Sequence, residues 1–152
     1  MPAANSHLDQ RIVDTALAMA DRRDWESVRL YAIATELNIS LDDIRHYYRE
    51  KEDLIDAWFD RADRAMLKVA ENEAFQEQSS EEKIHTLLMG WLGILSAHRR
   101  VTRQMIFGKL EPGHLHYQIK GLMRISRTVQ WLREAAGRDA TLPLRAIAVP
   151  AG

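Results

Sequence analysis

Cysteine is absent from this 152-residue chain, which excludes disulfides, thiolate nucleophiles and cysteine metal ligands and is compatible with a reducing compartment. Long apolar runs are absent too. The longest mainly apolar stretch, residues 87–95, is nine residues long and contains two glycines, against the roughly 20 residues that a membrane span needs. The first ten residues, MPAANSHLDQ, have neither a basic start nor an apolar stretch, so no secretory signal is expected and a cytoplasmic protein is. Nor does one sign of charge dominate: 21 Lys/Arg face 22 Asp/Glu, for a net charge of −1. That balance hides an asymmetry. Residues 1–68 carry 10 basic against 14 acidic side chains, whereas residues 69–152 carry 11 against 8. Phosphate neutralisation gives DNA-binding modules the opposite bias, so the acidic first half weighs against DNA as a partner.

Catalytic signatures are missing as well. The sequence has no G-x-S-x-G, P-loop, G-x-G-x-x-G or H-E-x-x-H, and each of those chemistries needs its motif. His114 and His116 stand two apart, a spacing that places them on different faces of a helix, and both read as surface histidines. No enzymatic activity, metal or cofactor is expected.

What is present is helical periodicity. The composition, 46% hydrophobic and 28% charged, suits a globular protein whose length can bury a real core. A first helix is expected over 7–20, with Leu8, Ile12, Ala16, Leu17 and Ala20 on one face and Ser6 as its cap. Trp25, isolated among polar residues, should plug a small core. Leu30, Ile33, Ala34 and Leu37 then mark one face of a second helix. Asn38-Ile39-Ser40 interrupts it: Asn tolerates a left-handed backbone, and Ser40 with Asp43 makes a capping box that starts a new helix at Leu41. Two helices joined by so short a turn form a helix-turn-helix, whose second helix can enter the major groove of DNA.

The residues of this stretch resemble the TetR family of bacterial transcriptional regulators. The likeness rests on Ala34, the turn Asn38-Ile39-Ser40, the aromatic cluster His46-Tyr47-Tyr48 and Lys51-Glu52-Asp53-Leu54, with the Arg11–Ala20 helix and Trp25 in the places that family gives its first helix and a Gly-aromatic pair. Asp24 stands where the family has the glycine, Asp43 where it has Thr or Ala, and Arg45 where it has a phosphate-binding Tyr. The resemblance covers about the first third of the chain, and beyond it only helical architecture and length agree. It implies an all-α fold in three parts: a helix-turn-helix module over 1–50, a shortened helical domain for ligand binding and dimerisation over 51–137, and an irregular tail over 138–152. It also implies DNA contacts from Leu41, Asp42 and Asp43 near the bases and from Arg45, His46, Tyr47, Tyr48, Arg49 and Lys51 on the backbone.

The rest of the chain continues the pattern. Residues 51–77 read as one helix, about 40 Å long at 1.5 Å per residue, with Leu54, Ile55, Trp58, Phe59, Ala62, Met66, Val69 and Ala70 inward and Asp56, Asp60, Asp63, Arg64 and Lys68 outward. Ser79 and Glu82 form a second capping box, opening a helix striped by Ile84, Leu87, Leu88, Trp91, Leu92 and Leu95, with Gly90 and Gly93 allowing close approach. After the break at 108–113, a last helix over 114–136 should bury Leu115, Ile119, Leu122, Ile125, Val129, Leu132 and Ala136, ending at Gly137. Lys120, Arg124, Arg127 and Trp131 then form a cationic stripe suited to a partner surface.

Leu88, Trp91, Leu95, Met105, Phe107, Leu122, Met123 and Val129 are large, flexible apolar side chains that could line a cavity between helices. By the family likeness that cavity would take a small apolar effector, and the protein would be a homodimeric regulator. A rival reading follows from segments 84–107 and 114–137, which resemble TetR-fold accessory proteins of ubiquinone biosynthesis that bind isoprenoid lipids. Trp131-Leu132-Arg133-Glu134-Ala135-Ala136-Gly137-Arg138-Asp139 partly echoes their W/Y-x-x-A-G-D run.

Overall fold

In the computed structural model Ser40 and Ser79 open their helices with the expected capping boxes, whereas the first two helices start without a side-chain cap and the expected cap Ser6 lies outside the described residues. The structure describes the backbone of residues 7–108 and 115–137 and the side chains of 7–108 and 123–137. The described residues form helices and turns without a strand: α1 (Leu8–Arg22), α2 (Leu30–Leu37), α3 (Leu41–Tyr47), α4 (Glu52–Val69), α5 (Glu73–Gln76), α6 (Ser80–Ser96), α7 (Arg99–Gly108) and α8 (Leu115–Ala136). They fall into two compact units. The first runs up to Phe59 and resumes at His98; the second holds Asp60–Ala97 and resumes at Leu115.

In the first unit α1, α2 and α3 pack against one another, and α7 packs on α1. Ile12, Val13, Ala16, Leu17, Ile33, Ala34, Ile44, Leu54 and Trp58 are buried, and Trp25 joins them as expected. Aliphatic and aromatic burial of this kind is worth about 1.5–3 kcal/mol per large side chain. The polar atoms that accompany it are satisfied. Trp58 Nε1 donates to Thr102 Oγ1 at 2.9 Å, and Arg100 donates to the carbonyls of Ala20, Asp21 and Arg23. A cation at the C-terminal end of α1 meets carbonyls of its last turn and its dipole. His98 Nδ1 lies 2.7 Å from Asp21 Oδ2, so the start of α7 is tied to the end of α1.

The second unit is built on Met66, Phe75, Leu87, Leu132 and Ala136, with Ala70, Ile84, Trp91 and Ala135 packed around them. Here the structure departs from the periodicity at several points, and on α6 Leu88 and Leu92, expected on the apolar stripe, are exposed. The expected helix over 51–77 stops at Val69, and Asn72 caps a short α5 by accepting from the Ala74 N–H at 3.0 Å. The break lets Phe75 enter the core. Apolar spacing alone cannot reveal such a break, because the residues on either side keep helical character. α8 is also rotated from its expected setting: Arg124, Thr128, Leu132 and Ala136 are buried, while Ile125 and Val129 face solvent. The buried set repeats every four residues, a face as regular as the expected one. Of the two glycines, only Gly90 meets a close neighbour, since a Cβ there would lie 3.0 Å from Val69 Cγ2, whereas nothing stands within 4 Å of one at Gly93.

Candidate functional site

The turn between α2 and α3 closes because Asn38 takes a left-handed backbone, with φ 54° and ψ 48°, which Asn tolerates better than most residues. Its N–H donates back to the last turn of α2, and the Ile39 N–H donates to the Ala34 carbonyl at 3.0 Å. Ser40 then caps α3. Its hydroxyl accepts from the Asp43 N–H at 3.0 Å, and the Asp43 carboxylate accepts from the Ser40 N–H at 2.9 Å. Those bonds, the Ser40 amide first and its hydroxyl next, hold the Asp43 carboxyl below its usual 3.8. Ile44 is the buried anchor of α3. Leu41, Asp42, Asp43, Arg45, His46 and Tyr47 remain exposed around it.

The acids on this face are engaged rather than loose. Asp42 accepts from Arg45, at 3.0 Å from Nε and 2.9 Å from Nη2, and Asp43 belongs to the cap. Two carboxylates on a helix that faces phosphate would repel it. Here one is paired with a guanidinium and the other sits on the positive end of the helix dipole. His46 and Tyr47 stack edge to face at 5.2 Å between ring centroids. Arg49 is exposed beyond them.

Tyr48 and Lys51 have other uses. Tyr48 is buried, and its hydroxyl donates to the Asp9 carbonyl at 2.9 Å. Lys51 Nζ donates to the carbonyls of Trp25, at 2.7 Å, and Glu26, at 3.2 Å, and sits 4.9 Å from the Trp25 ring centroid. Burial, and then the nearby Arg29, push its amine below the usual 10.5. Tyr48 therefore ties the end of the helix-turn-helix to the first turn of α1, Lys51 ties it to the loop after α1, and neither points away from the unit. Asp53 completes the frame by accepting from the N–H groups of Arg49 and Glu50.

The apolar residues expected to line one cavity differ in burial and belong to both units. Leu95 is buried and Trp91 half-buried in the second unit, and Met105 is buried in the first. Leu88, Phe107, Met123 and Val129 are exposed, and the side chain of Leu122 lies outside the described residues. The expected cationic stripe is likewise divided. Arg127 and Trp131 are exposed and Lys120 lies outside the described side chains, but Arg124 is only 6% exposed. Two charges assigned to outer faces, Asp63 and Arg124, turn out to be one buried ion pair, with Arg124 Nη1 2.8 Å from Asp63 Oδ2.

Around that pair lies a polar network that periodicity did not reveal. Thr128 Oγ1 donates to Asp63 Oδ1 at 2.8 Å, Trp91 Nε1 donates to the same oxygen at 2.9 Å, and Arg124 Nη1 also approaches Thr128 Oγ1 at 3.2 Å. Its sequence signal was faint but real. Asp63 lies three residues before Met66 and four after Phe59, on the edge of an apolar stripe, and Arg124 and Thr128 precede Leu132 at spacings of four. Among the described residues no group of His, Asp or Glu could hold a metal ion, and no described helix is long and apolar enough to cross a membrane.

No protein-family model matches the sequence, and no curated protein matches it. A solved structure does. The TetR transcriptional regulator from Nitrosomonas europaea ATCC 19718 is 55% identical to this chain, covers 91% of it over 75% of its own length, and superposes with a TM-score of 0.79. The chain belongs to the TetR family of transcriptional regulators. Its all-α architecture is the TetR fold, and its function is that of a TetR-type regulator. The lipid-binding accessory reading is not favoured, because the matching relative is a regulator. TetR regulators bind DNA, typically dimerise and are not enzymes.

Proposed function

We propose that this TetR regulator grips operator DNA as a homodimer through the exposed side of α3 and is released by a small apolar effector held in the second unit. The single observation that carries the reading is the 55% identity over 91% of the chain to a TetR transcriptional regulator. The helix-turn-helix geometry supports it. A capped α3 holds Leu41, Asp42 and Asp43 at its leading turn, with Arg45, His46, Tyr47 and Arg49 following in the exposed positions that meet base edges and phosphates. Tyr48 and Lys51 serve by fixing the module that presents them. On this reading residues 1–50 read DNA and 51–137 bind the effector and the second protomer, while the tail expected over 138–152 lies outside the described residues. The protein acts in the cytoplasm, where it meets chromosomal DNA.

Dimerisation is supported by apolar side chains that the second unit leaves uncovered. Ile125 and Val129 on α8, and Leu88 and Leu92 on α6, are exposed at helical spacing, and two-fold operators need two such chains. Size-exclusion chromatography with light scattering should return a dimer mass, and a monomer at micromolar concentration would remove this part of the reading.

DNA binding is tested by gel shift against the region upstream of the protein's own gene across a salt series. Binding should weaken steeply with salt, and Arg45→Ala should weaken it further and reduce the log–log salt slope by about one. Absence of any salt-sensitive complex at low ionic strength sinks the proposal.

A further inference from the structure

Arg45 is held along one edge of its guanidinium and open along another. Its Nε and Nη2 both donate to Asp42 Oδ1, at 3.0 Å and 2.9 Å, and no other bond among the described residues engages it. A guanidinium is planar and carries five N–H donors in a rigid fork. A carboxylate on the Nε/Nη2 side therefore fixes the plane and leaves the Nη1/Nη2 end with one parallel N–H on each nitrogen. Asp42 does this from one turn back on α3, and the two side chains are 67% and 80% exposed for Arg45 and Asp42. Leu41, four residues before Arg45 and so on the same face of the helix, is 54% exposed. An apolar side chain on that face gains from thymine methyls and base edges and nothing from a phosphate.

We propose that Arg45 reads a guanine of the operator through its Nη1 and Nη2 N–H groups, and that Asp42 is the positioning residue that aims them. The proposal rests on the DNA-binding reading given above and names the base that the α3 face selects. Charge and donor pattern decide it. A guanidinium already paired with a carboxylate brings little net charge to a phosphate, where affinity comes from neutralisation. Its direction survives the pairing. Two parallel N–H donors match the adjacent O6 and N7 acceptors of guanine, whereas adenine sets an N6 donor beside its N7, cytosine presents an N4 donor and thymine offers O4 beside a methyl. Asp42 then costs affinity for DNA in general and supplies selectivity between sequences.

The test uses the full chain and a library of random duplex DNA, from which bound sequences are selected at low salt. Duplexes with each of the four bases at every selected position are then titrated with the native protein, Arg45→Ala, Asp42→Ala and Asp42→Asn. The native protein should prefer guanine at one position by about tenfold, and Arg45→Ala should cut that preference to about twofold or less while preferences elsewhere in the motif stay. Asp42→Ala should bind unselected duplex more tightly yet keep a guanine preference of only about threefold or less, because Arg45 is no longer aimed. Asp42→Asn, whose amide oxygen accepts the same two N–H groups, should keep about fivefold or more. A merely structural role for Asp42 would not separate those two variants. A guanine preference that persists in Arg45→Ala, or an Arg45→Ala that weakens every sequence equally, overturns the inference and leaves DNA binding standing. A preference unchanged in Asp42→Ala, or lost equally in Asp42→Asn, overturns the positioning role. A selected motif without a guanine that depends on Arg45 overturns the assignment of the base. Absence of any enriched motif and of any salt-sensitive complex overturns the inference together with the DNA-binding reading.

Discussion

Two Arg–Asp pairs of almost the same length stand in opposite surroundings in this chain. Arg45 and Asp42 are 2.9 Å apart on α3, with side chains 67% and 80% exposed, while Arg124 and Asp63 are 2.8 Å apart with both side chains 7% exposed. The first pair joins residues one helical turn apart, and the second joins residues 61 apart in sequence. Distance says little about what either is worth. In water the attraction is screened and side-chain entropy opposes it, so the outer pair orients Arg45 more than it stabilises the fold. In the interior the pair offsets a large desolvation cost, and removing one partner strands the other. One pair lies on the surface proposed to meet DNA, and the other organises the interior of the second unit.

The largest expected effect comes from breaking the inner pair. Arg124→Ala should lose about 3–5 kcal/mol of stability, because Asp63 is left buried and uncompensated. For a chain of this size that lowers the melting midpoint by on the order of 10 °C, a shift that circular dichroism will show. Replacing both partners, Asp63→Leu with Arg124→Met, should recover most of the loss. A double variant as unstable as the single one would mean that the network is needed for packing and not only for charge balance.

Local features should give smaller effects. Ser40→Ala should cost about 1 kcal/mol in a urea melt through loss of the α3 cap. Gly93→Ala should stabilise α6 by about 0.5–1 kcal/mol, since the added methyl meets no neighbour. Gly90→Ala should gain less or lose, since its methyl would press on Val69 Cγ2 at 3.0 Å. Equal gains at the two positions would show that α4 yields freely at Val69.

Breaking the outer pair should barely register in stability. Asp42→Ala should change it by no more than about 0.5 kcal/mol, yet it removes a negative charge from the face read as meeting DNA and should tighten non-specific binding in a low-salt gel shift. The smallest signal is a pH effect at the α3 cap. The Asp43 carboxyl lies below its usual 3.8 when folded, so its contribution is complete above about that value and is lost as pH falls through the lower folded value. Amide exchange at Ser40 and Asp43 should therefore quicken below about pH 3.8 before the rest of the first unit responds.

The helix starts at Leu41 and Ser80, the left-handed Asn38, the core role of Trp25 and the cap at Gly137 were all legible in the sequence. Each is decided by atoms within a few residues of one another, where a serine hydroxyl or an asparagine backbone finds its partner inside one turn of chain. The break after Val69 and the rotation of α8 were not legible. Whether residues 124, 128 and 132 or residues 125, 129 and 132 face inward depends on which side chains wait on other helices, and both sets have helical spacing. Tyr48 and Lys51 teach the same lesson: their motif was visible, but the carbonyls of Asp9, Trp25 and Glu26 that engage them come from distant turns.

By itself the sequence determined a helical protein with a capped helix-turn-helix, because capping and turn chemistry are short-range and amphipathic spacing is periodic. Only tertiary structure decided that Asp63 and Arg124 leave the surface, since a charge enters a core only when a partner from elsewhere in the chain meets it there. Sequence spacing carries no record of that meeting.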